Sequence, residues 1–324
     1  MGLGKYALKR ILLLIPVFIG VTAVVFLLLK LVPGDPVAVL LPPSSRTPEQ
    51  IASLRARLGL DQPIYIQYAK WLWSALQGNL GTSYANQRPV TTIMADAIWP
   101  TMQLTIVAFL VALFIAIPVG VASAVYKDTW VDNLGRVIAF TGISIPAFWL
   151  GIMVILLFAL WIPDATGLPQ LIPAGGYVSP NQDFFGWLRH VIAPGAVLGL
   201  GFSALTTRLT RASMVEVLNE DYVRTARAKG VREKAVVMIH AFRNALIPVL
   251  TVMGLQLGFL LNGSIVVEQV FQWPGIGRLL FQAVLQRDFP LIQGIVLFIA
   301  SVFVFANLFV DLMYAVLDPR IRYD

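Results

Sequence analysis

The sequence lacks cysteine altogether and has only two histidines, His190 and His240, among its 324 residues. Disulfides and thiolate metal sites are therefore excluded, and two histidines are too few for a histidine-based metal centre. Charged residues are also scarce, at 13% of the chain, against about a quarter in a typical soluble domain. Because so few ionic side chains cannot cover a water-exposed surface, and 58% of the residues are hydrophobic, the composition indicates an integral membrane protein.

Two motifs of enzyme chemistry are missing as well. The chain contains neither a G-x-x-x-x-G-K-[ST] phosphate loop nor an H-E-x-x-H zinc pattern. It cannot supply an ATP site itself, and we predict that it is not an enzyme, has no catalytic residues and binds no cofactor or metal. The net charge of +7 is typical of basic loops in a membrane protein rather than of a nucleic-acid interface, so we expect membrane lipid but no nucleic acid as a partner.

Six segments are apolar enough to cross a bilayer as helices, which takes about 20 residues each. Each segment is apolar all round, unlike the one-sided stripe of a soluble helix. The first segment follows a basic N-terminus like that of a signal peptide, but it is long enough to span and no small-residue cleavage site follows, so we predict that it is retained. The sequence thus predicts an all-α polytopic membrane protein with about six transmembrane helices, at residues 9–31, 100–126, 136–162, 188–208, 246–268 and 290–316.

The distribution of basic residues predicts the orientation of the chain. Lys and Arg concentrate in the N-terminus, the loop 127–136, the loop 209–245 and the tail, whereas the loop 163–187 has none. By the positive-inside rule, both termini lie in the cytoplasm. We therefore divide the chain into four parts. Residues 1–31 form a cytoplasmic end with the first transmembrane helix, and residues 32–99 form an external segment. Residues 100–316 form a core of five transmembrane helices that includes the cytoplasmic coupling loop 209–245, and residues 317–324 form a cytoplasmic tail.

The external segment 32–99 is too long for a simple linker. Thr47 and Pro48 form a helix start, and an aromatic amphipathic stretch follows from Tyr65 to Leu76. These features predict interfacial helices lying at the outer membrane surface, where Trp and Tyr are favoured; a platform for an external partner is the alternative. Prolines within the predicted spans, including Pro146, are interpreted as packing kinks.

A short charged stretch, 220–248, separates the fourth and fifth spans. Asn219 is predicted to cap a helix with acidic residues at its start, and Gly230 to end it. A second helix is predicted from Val231 to Asn244, returning to the membrane at Pro248. A solvated loop obeying the positive-inside rule is the simpler alternative, but the pattern of a capped helix, a glycine and a returning helix favours a built element.

That pattern resembles the cytoplasmic signature of ATP-binding-cassette importer permeases, in which Glu-Ala-Ala, three residues and Gly precede a later hydrophobic-x-Leu-Pro. Here Arg224 and Thr225 replace Glu and Ala, and Pro248 comes later than in the general form. As it stands, the stretch 221–248 is similar to one branch, the first permease subunit of dipeptide, oligopeptide and nickel importers. Segments 33–36, 268–278, 287–294 and 311–320 match that branch too, so the resemblance covers nearly the whole chain.

The resemblance implies a type I importer permease fold in a bacterial or archaeal inner membrane. This chain would form half of a translocation pathway as a heterodimer with a second homologous permease subunit. Two cytoplasmic ATPases would bind ATP and Mg, and an extracytoplasmic substrate-binding protein would deliver the substrate. The substrate is expected to be a di- or oligopeptide, with nickel, glutathione or another small solute as alternatives.

Four groups of site residues follow from the resemblance and from residue chemistry. The ATPase-coupling residues are Asp221, Arg224, Thr225, Ala226, Arg227, Lys229 and Gly230. Support for the coupling loop is assigned to His240, Arg243, Asn244 and Pro248. The outer-gate candidates are Glu268, Trp273, Pro274, Gly275 and Gly277. The pathway candidates are Gln256, Asn262, Asn307 and Asp311.

Several of these assignments leave simpler alternatives open. His240 is equally well an ordinary surface histidine, the loop 269–289 is favoured as a structural cap near the gate, and Asp311 is favoured as an interfacial cap or ion-pair partner. The rival function for the whole chain is a secondary transporter or channel driven by an ion gradient. Such a protein usually needs buried ionisable groups near mid-membrane, and the sequence places none there.

Overall fold

The computed structural model of the chain describes residues 3–31, 37 and 47–317. The Pro-Gly-Asp-Pro motif at 33–36 and the tail 318–324 lie outside the described residues. The chain divides into two compact units, one holding residues 1–99 and 278–324 and the other holding Pro100–Gly277.

Helices dominate the described residues. They are α1 (Leu3–Leu31), α2 (Pro48–Arg57), α3 (Ile64–Leu76), α4 (Val90–Val125), α5 (Trp130–Ser144), α6 (Ala147–Ile155), α7 (Ile162–Thr166), α8 (Phe184–Leu218), α9 (Asp221–Ala228), α10 (Glu233–Ala235), α11 (Phe242–Val270), α12 (Ile276–Gln286) and α13 (Phe289–Leu317). A π-helical turn, Leu156–Trp161, joins α6 to α7, and a second, Val236–Ala241, joins α10 to α11.

Six helical stretches in the described part of the chain are long and apolar enough to cross a membrane, as the sequence predicted. They are Arg10–Leu27, Val90–Val125, Ala147–Thr166, Phe184–Leu218, Glu233–Gly254 and Phe289–Leu308. The all-α prediction is therefore confirmed. The second and fourth stretches are longer than predicted: α4 begins ten residues before residue 100, and α8 begins at Phe184, where the side chain of Asp183 accepts a hydrogen bond from the Gly186 amide at 2.9 Å.

The sequence predicted the third span as one kinked helix over 136–162, and the structure differs from this prediction. Helix α5 ends at Ser144, Ile145 adopts extended backbone with ψ 122°, and Pro146 precedes the first residue of α6. Proline disfavours the helical conformation in the residue before it and has no amide hydrogen to continue the ladder. The prediction of a kink at Pro146 was therefore wrong, because the proline separates two helices, and the third membrane-length stretch begins only at Ala147.

Within Pro100–Gly277, helix α8 is the central element, with α4, α5 and α11 packed on it. The contacts are close because glycines face the neighbouring backbones. A Cβ at Gly199 would lie 2.6 Å from the carbonyl oxygen of Ala108, and one at Gly142 would lie 2.9 Å from the carbonyl oxygen of Leu200. Small residues of this kind let membrane helices approach closely enough for dispersion contacts to hold them together.

In the other unit, α1 packs on α13 and on α3. Phe18 meets Phe305 with ring centroids 5.6 Å apart, and the hydroxyls of Thr22 and Tyr68 lie 2.8 Å apart. The start of α2 is confirmed: the Thr47 side chain accepts from the Gln50 amide, and proline occupies the first turn. The outer face of α3 exposes Tyr65, Trp73 and Leu76, which suits the predicted interfacial location.

Candidate functional site

The short helix predicted between the fourth and fifth spans is present as α9. Its N-cap position is Glu220 rather than Asn219, so that prediction was wrong by one residue. Asn219 instead ends α8 in helical conformation, and its side-chain amide donates to the Val215 carbonyl at 2.8 Å, which engages it with the preceding helix. Gly230 has φ +79°, a left-handed conformation that ends the helix as predicted and that other residues adopt only with strain.

One face of α9 is buried against its surroundings. Val223 is completely buried and Ala226 nearly so, in a cluster with Val236 of the π-helical turn and, at its edge, Leu218 at the end of α8. The opposite face exposes Arg224, Thr225 and Lys229 among others. Ala226, predicted as part of the coupling element, therefore lies on the buried face that packs α9 against its neighbours. The exposed residues beside it form the surface that a partner can reach.

The charged side chains of α9 have two kinds of surroundings: one is bonded to the next helix and others are exposed. Arg227 pairs with Glu233 of α10, with guanidinium and carboxylate atoms 2.7 Å apart, and this hydrogen bond raises the pKa of Arg227. Arg224 pairs with Asp221 one turn earlier at 3.3 Å, and both side chains are largely exposed. Arg227 thus fastens α9 to the returning helix, whereas Arg224 and Lys229 face solvent.

Tyr222 makes a second connection that the sequence analysis did not single out. Its hydroxyl accepts a hydrogen bond from the side-chain amide of Asn244 at 2.8 Å and donates to the main-chain carbonyl of His240 at 3.4 Å. Asn244, predicted to support the coupling loop, is thus hydrogen-bonded to α9 through Tyr222. The His240 ring and Arg243 are exposed, and Pro248 lies inside α11.

A π-helical turn, Val236–Ala241, lies near the start of the fifth membrane-length stretch, between α10 and α11, and the sequence did not predict it. Its buried residues Val237 and Ala241 pack with Ala124 of α4 and Met214 of α8. A π-helical turn inserts an extra residue into the helical repeat and often occurs at functional sites. No periodicity signal marks it, because the apolar pattern runs through it unbroken.

A buried ion-pair network lies near the same end of α8 and was also missed. Asp132, in the first turn of α5, has no exposed side-chain surface; it accepts hydrogen bonds from Arg211 Nε at 2.6 Å and from an Arg211 terminal nitrogen at 2.8 Å. Arg136 and the Asp128 amide donate to the same carboxylate at 2.8 and 3.1 Å. These donors, Arg211 above all, hold the pKa of Asp132 well below its usual range. The sequence separates Asp132 from Arg211 by 79 residues, so only the packing of α5 on α8 brings them together.

At the other end of α11, the outer-gate candidates form a closely packed cap. Glu268 is fully buried and accepts a hydrogen bond from the Thr101 hydroxyl at 2.8 Å, while that hydroxyl also accepts from the Ile276 amide at 2.8 Å. The indole of Trp273 donates to the Pro100 carbonyl at 2.9 Å.

The glycines of this cap are required by its packing. A Cβ at Gly275 would collide with the Glu268 carboxylate, and one at Gly277 with the α11 backbone at Ile265. Pro274, in contrast, is exposed. These contacts favour the interpretation of the loop as a structural cap.

Two of the four pathway candidates, Gln256 and Asn307, have described side chains. Gln256 is buried and accepts a hydrogen bond from Thr206 of α8 at 3.0 Å, so it joins two helices of one unit. Asn307 is half-buried in α13, in the other unit. The side chains of Asn262 and Asp311 lie outside the described residues. Within the described part of the chain, no group of three or more His, Cys, Asp and Glu side chains is arranged to hold a metal ion.

Comparison of the sequence with known proteins finds matches among transport proteins. Residues 116–323 match the family described as binding-protein-dependent transport system inner membrane component, and residues 3–105 match the N-terminal component of such membrane proteins. The chain is 42% identical over 320 residues to a protein of Brucella abortus described as a peptide transport system permease, covering 98% of each chain. It is 44% identical over 322 residues to the glutathione transport system permease protein GsiC of Salmonella paratyphi A, covering 98% of this chain and 99% of that one. A solved amino acid ABC transporter with histidines aligns at a TM-score of 0.49 with 16% identity, over 71% of this chain and 95% of that chain.

Proposed function

This chain belongs to the family of binding-protein-dependent transport system inner membrane components, and we propose that its helix α9 is the contact through which an ATPase partner drives it. The chain is the permease subunit of an ATP-binding-cassette importer, a multi-pass inner membrane protein of a family that consists of permeases rather than enzymes. Its importer depends on ATPase and substrate-binding partners. This membership argues against the alternative of an ion-gradient-driven transporter or channel.

The observation that carries the coupling proposal is the construction of α9. A helix of eight residues is seated on one face, ended by a left-handed glycine and exposed on its other face, between two membrane-length stretches. Such a compact element transmits a rigid-body push instead of absorbing it. The exposed surface of Arg224, Thr225 and Lys229 would meet a groove on the ATPase, while ATP and Mg are bound by the ATPase itself.

Force on α9 has two routes into the membrane helices. The Arg227–Glu233 ion pair and the Tyr222–Asn244 hydrogen bond connect α9 to α10 and α11. The buried contacts of Val223 connect it to the end of α8. A displacement of α9 would therefore move α8 and α11 together, and these two helices pack against each other along the core of the unit.

For the assembly, we propose a second homologous permease subunit, two cytoplasmic ATPases and an external substrate-binding protein. Both termini and α9 would face the cytoplasm, since Lys and Arg concentrate in the segments on that side. The substrate would be a short peptide or glutathione, the solutes in the names of the two relatives. Competition of unlabelled dipeptide, tripeptide and glutathione for uptake by the reconstituted importer distinguishes these, and uptake that none of them inhibits would reject the substrate proposal.

The coupling proposal is tested by co-purification of the chain with its ATPases. Arg224→Glu combined with Lys229→Glu reverses two exposed charges and leaves the seated residues untouched, so the ATPases should be lost while membrane insertion is retained. The matched control is Arg57→Glu with Lys70→Glu, the same charge change on exposed residues of α2 and α3, which should retain them. If both double variants keep the ATPases, α9 is not the contact.

A further inference from the structure

The buried pair Asp132–Arg211 joins two helices just before α9. Arg211 lies on α8 about two helical turns before its last residue, Leu218, and α9 begins at Asp221. Asp132 lies at the start of α5, on a different part of the chain. The carboxylate has both oxygens engaged by the Arg211 guanidinium, in the two-point geometry that restricts rotation as well as separation.

Glycines bring the helices of the same region into close contact. A Cβ at Gly120 of α4 would lie 2.9 Å from the Thr207 carbonyl oxygen of α8. Gly135 of α5 packs directly on Ser123 of α4, so that a Cβ would collide with its hydroxyl. The ends of α4, α5 and α8 near α9 are thus in mutual contact, and Asp132–Arg211 is a directional polar bond between two of them.

We propose that Asp132 is a positioning residue for energy coupling, which holds the end of α8 to α5 so that a displacement of α9 moves both helices as one body. This inference rests on the proposed role of α9 as the ATPase contact. Without the bond, the last two turns of α8 would yield to the push from α9, and ATP hydrolysis would continue with less movement of the membrane helices. The described hydrogen-bond partners of the Asp132 carboxylate are Asp128, Arg136 and Arg211, none of which is a predicted site residue.

The structure offers a matched control on the same carboxylate. Arg136 donates to Asp132 over the same 2.8 Å as the Arg211 terminal nitrogen, but it lies on α5, one turn from Asp132. Removing Arg136 takes one cation from the carboxylate without severing α5 from α8, whereas removing Arg211 severs the bond. Arg211→Gln and Arg136→Gln therefore make the same chemical change and differ in whether the ion pair between α5 and α8 remains.

The experiment measures solute imported per ATP hydrolysed by the full importer in proteoliposomes, with its binding protein present. Arg211→Gln and Asp132→Asn should lower this ratio by about twofold to thirtyfold, the span of effects seen for residues in coupling networks, while ATP hydrolysis and ATPase co-purification persist. Arg136→Gln should leave the ratio near that of the unaltered protein. The double variant Asp132→Glu/Arg211→Lys lengthens one partner and shortens the other, and should restore most of the ratio lost in Arg211→Lys alone.

Three results would overturn the proposal. An unchanged ratio in Arg211→Gln would show that the bond is not needed for coupling. An equal fall in Arg136→Gln would show that only the charge on Asp132 matters. Loss of the ATPases from Arg211→Gln would show a purely structural role. If Arg211→Gln does not accumulate, Arg211→Lys and its compensated double variant decide the question alone. Failure of the coupling function of α9 is recognised separately, by ATPase retention in Arg224→Glu/Lys229→Glu.

Discussion

The contribution of the buried face of α9 to its local stability can be tested by shortening one buried side chain. Val223 has no exposed surface and packs with Ala226 and Val236. Val223→Ala removes two carbon atoms from this cluster, which costs about 0.8 kcal/mol for each buried carbon group, plus a term for the cavity left behind. We therefore expect α9 to be destabilised locally by about 1.5 to 3 kcal/mol.

Amide hydrogen exchange of the intact importer subunit reads this change directly, because the amides of α9 exchange through local opening. A loss of about 1.5 to 3 kcal/mol speeds exchange about tenfold to 150-fold, since 1.4 kcal/mol is a factor of ten. The acceleration should be confined to 221–230 and the adjoining π-helical turn.

The control is Thr225→Ala, on the exposed face of the same helix. The Thr225 hydroxyl is exposed and donates to the Asp221 carbonyl one turn back, at 2.9 Å, so its removal should change local stability by less than about 0.5 kcal/mol. If Val223→Ala and Thr225→Ala exchange at the same rate as the unaltered protein, the buried face does not hold α9 in place. The proposal that α9 pushes on α8 through that face would then fail.

Three further outcomes are expected from other parts of the molecule. Gly277→Ala forces a Cβ into the α11 backbone and should lower the free energy of unfolding by about 1 to 3 kcal/mol. Gly201→Ala, with no described atom within 4 Å of its Cβ, should leave that free energy unchanged or raise it. Equal melting temperatures of the two variants would contradict the packing of the cap. The pKa of Asp132 is lower in the folded protein than in the unfolded chain, so its ion pair stabilises the fold above the unfolded pKa and this stabilisation is lost as the pH falls through the lower folded pKa. The free energy of unfolding lost in Asp132→Asn should therefore be constant from about pH 5 to about pH 8 in melting experiments. A steep change of that loss within this range would be inconsistent with the pair. Since the chain has no cysteine, Lys229→Cys and Asn181→Cys each introduce a single thiol. A membrane-impermeant maleimide should label Cys at position 229 only in inside-out vesicles and Cys at position 181 only in right-side-out vesicles. The opposite pattern would reverse the predicted orientation.

Individual elements show how far sequence reasoning extended. The end of α9 at Gly230 and the start of α2 at Thr47 and Pro48 were predicted because glycine, threonine and proline act on their own backbone within one helical turn. Asn219 was misassigned because two helices compete for it, and its side chain bonds back to α8. Pro146 was read as a kink because composition alone does not distinguish a bent membrane helix from two helices in succession.

The contacts of the candidate site were largely invisible beforehand. Arg227 was predicted to be an ATPase-coupling residue, but its bond to Glu233 was not anticipated. Tyr222 was not singled out, although it joins α9 to Asn244. Asp132 has an ordinary position at a helix start. Its importance arises from Arg211, which reaches it from a helix far along the chain.

The sequence by itself determined the membrane class of this protein, its six membrane-length segments, its family and the existence of a short helix ended by Gly230. These follow from composition, from apolar length and from residues that act on their own backbone. Only the tertiary structure decided which face of α9 is buried, where the third span begins, and that Asp132 of α5 meets Arg211 of α8. Such contacts depend on which helices lie side by side, and in a membrane, where every helix is apolar all round, hydrophobic pattern does not select neighbours; close glycine contacts and a few buried polar bonds do.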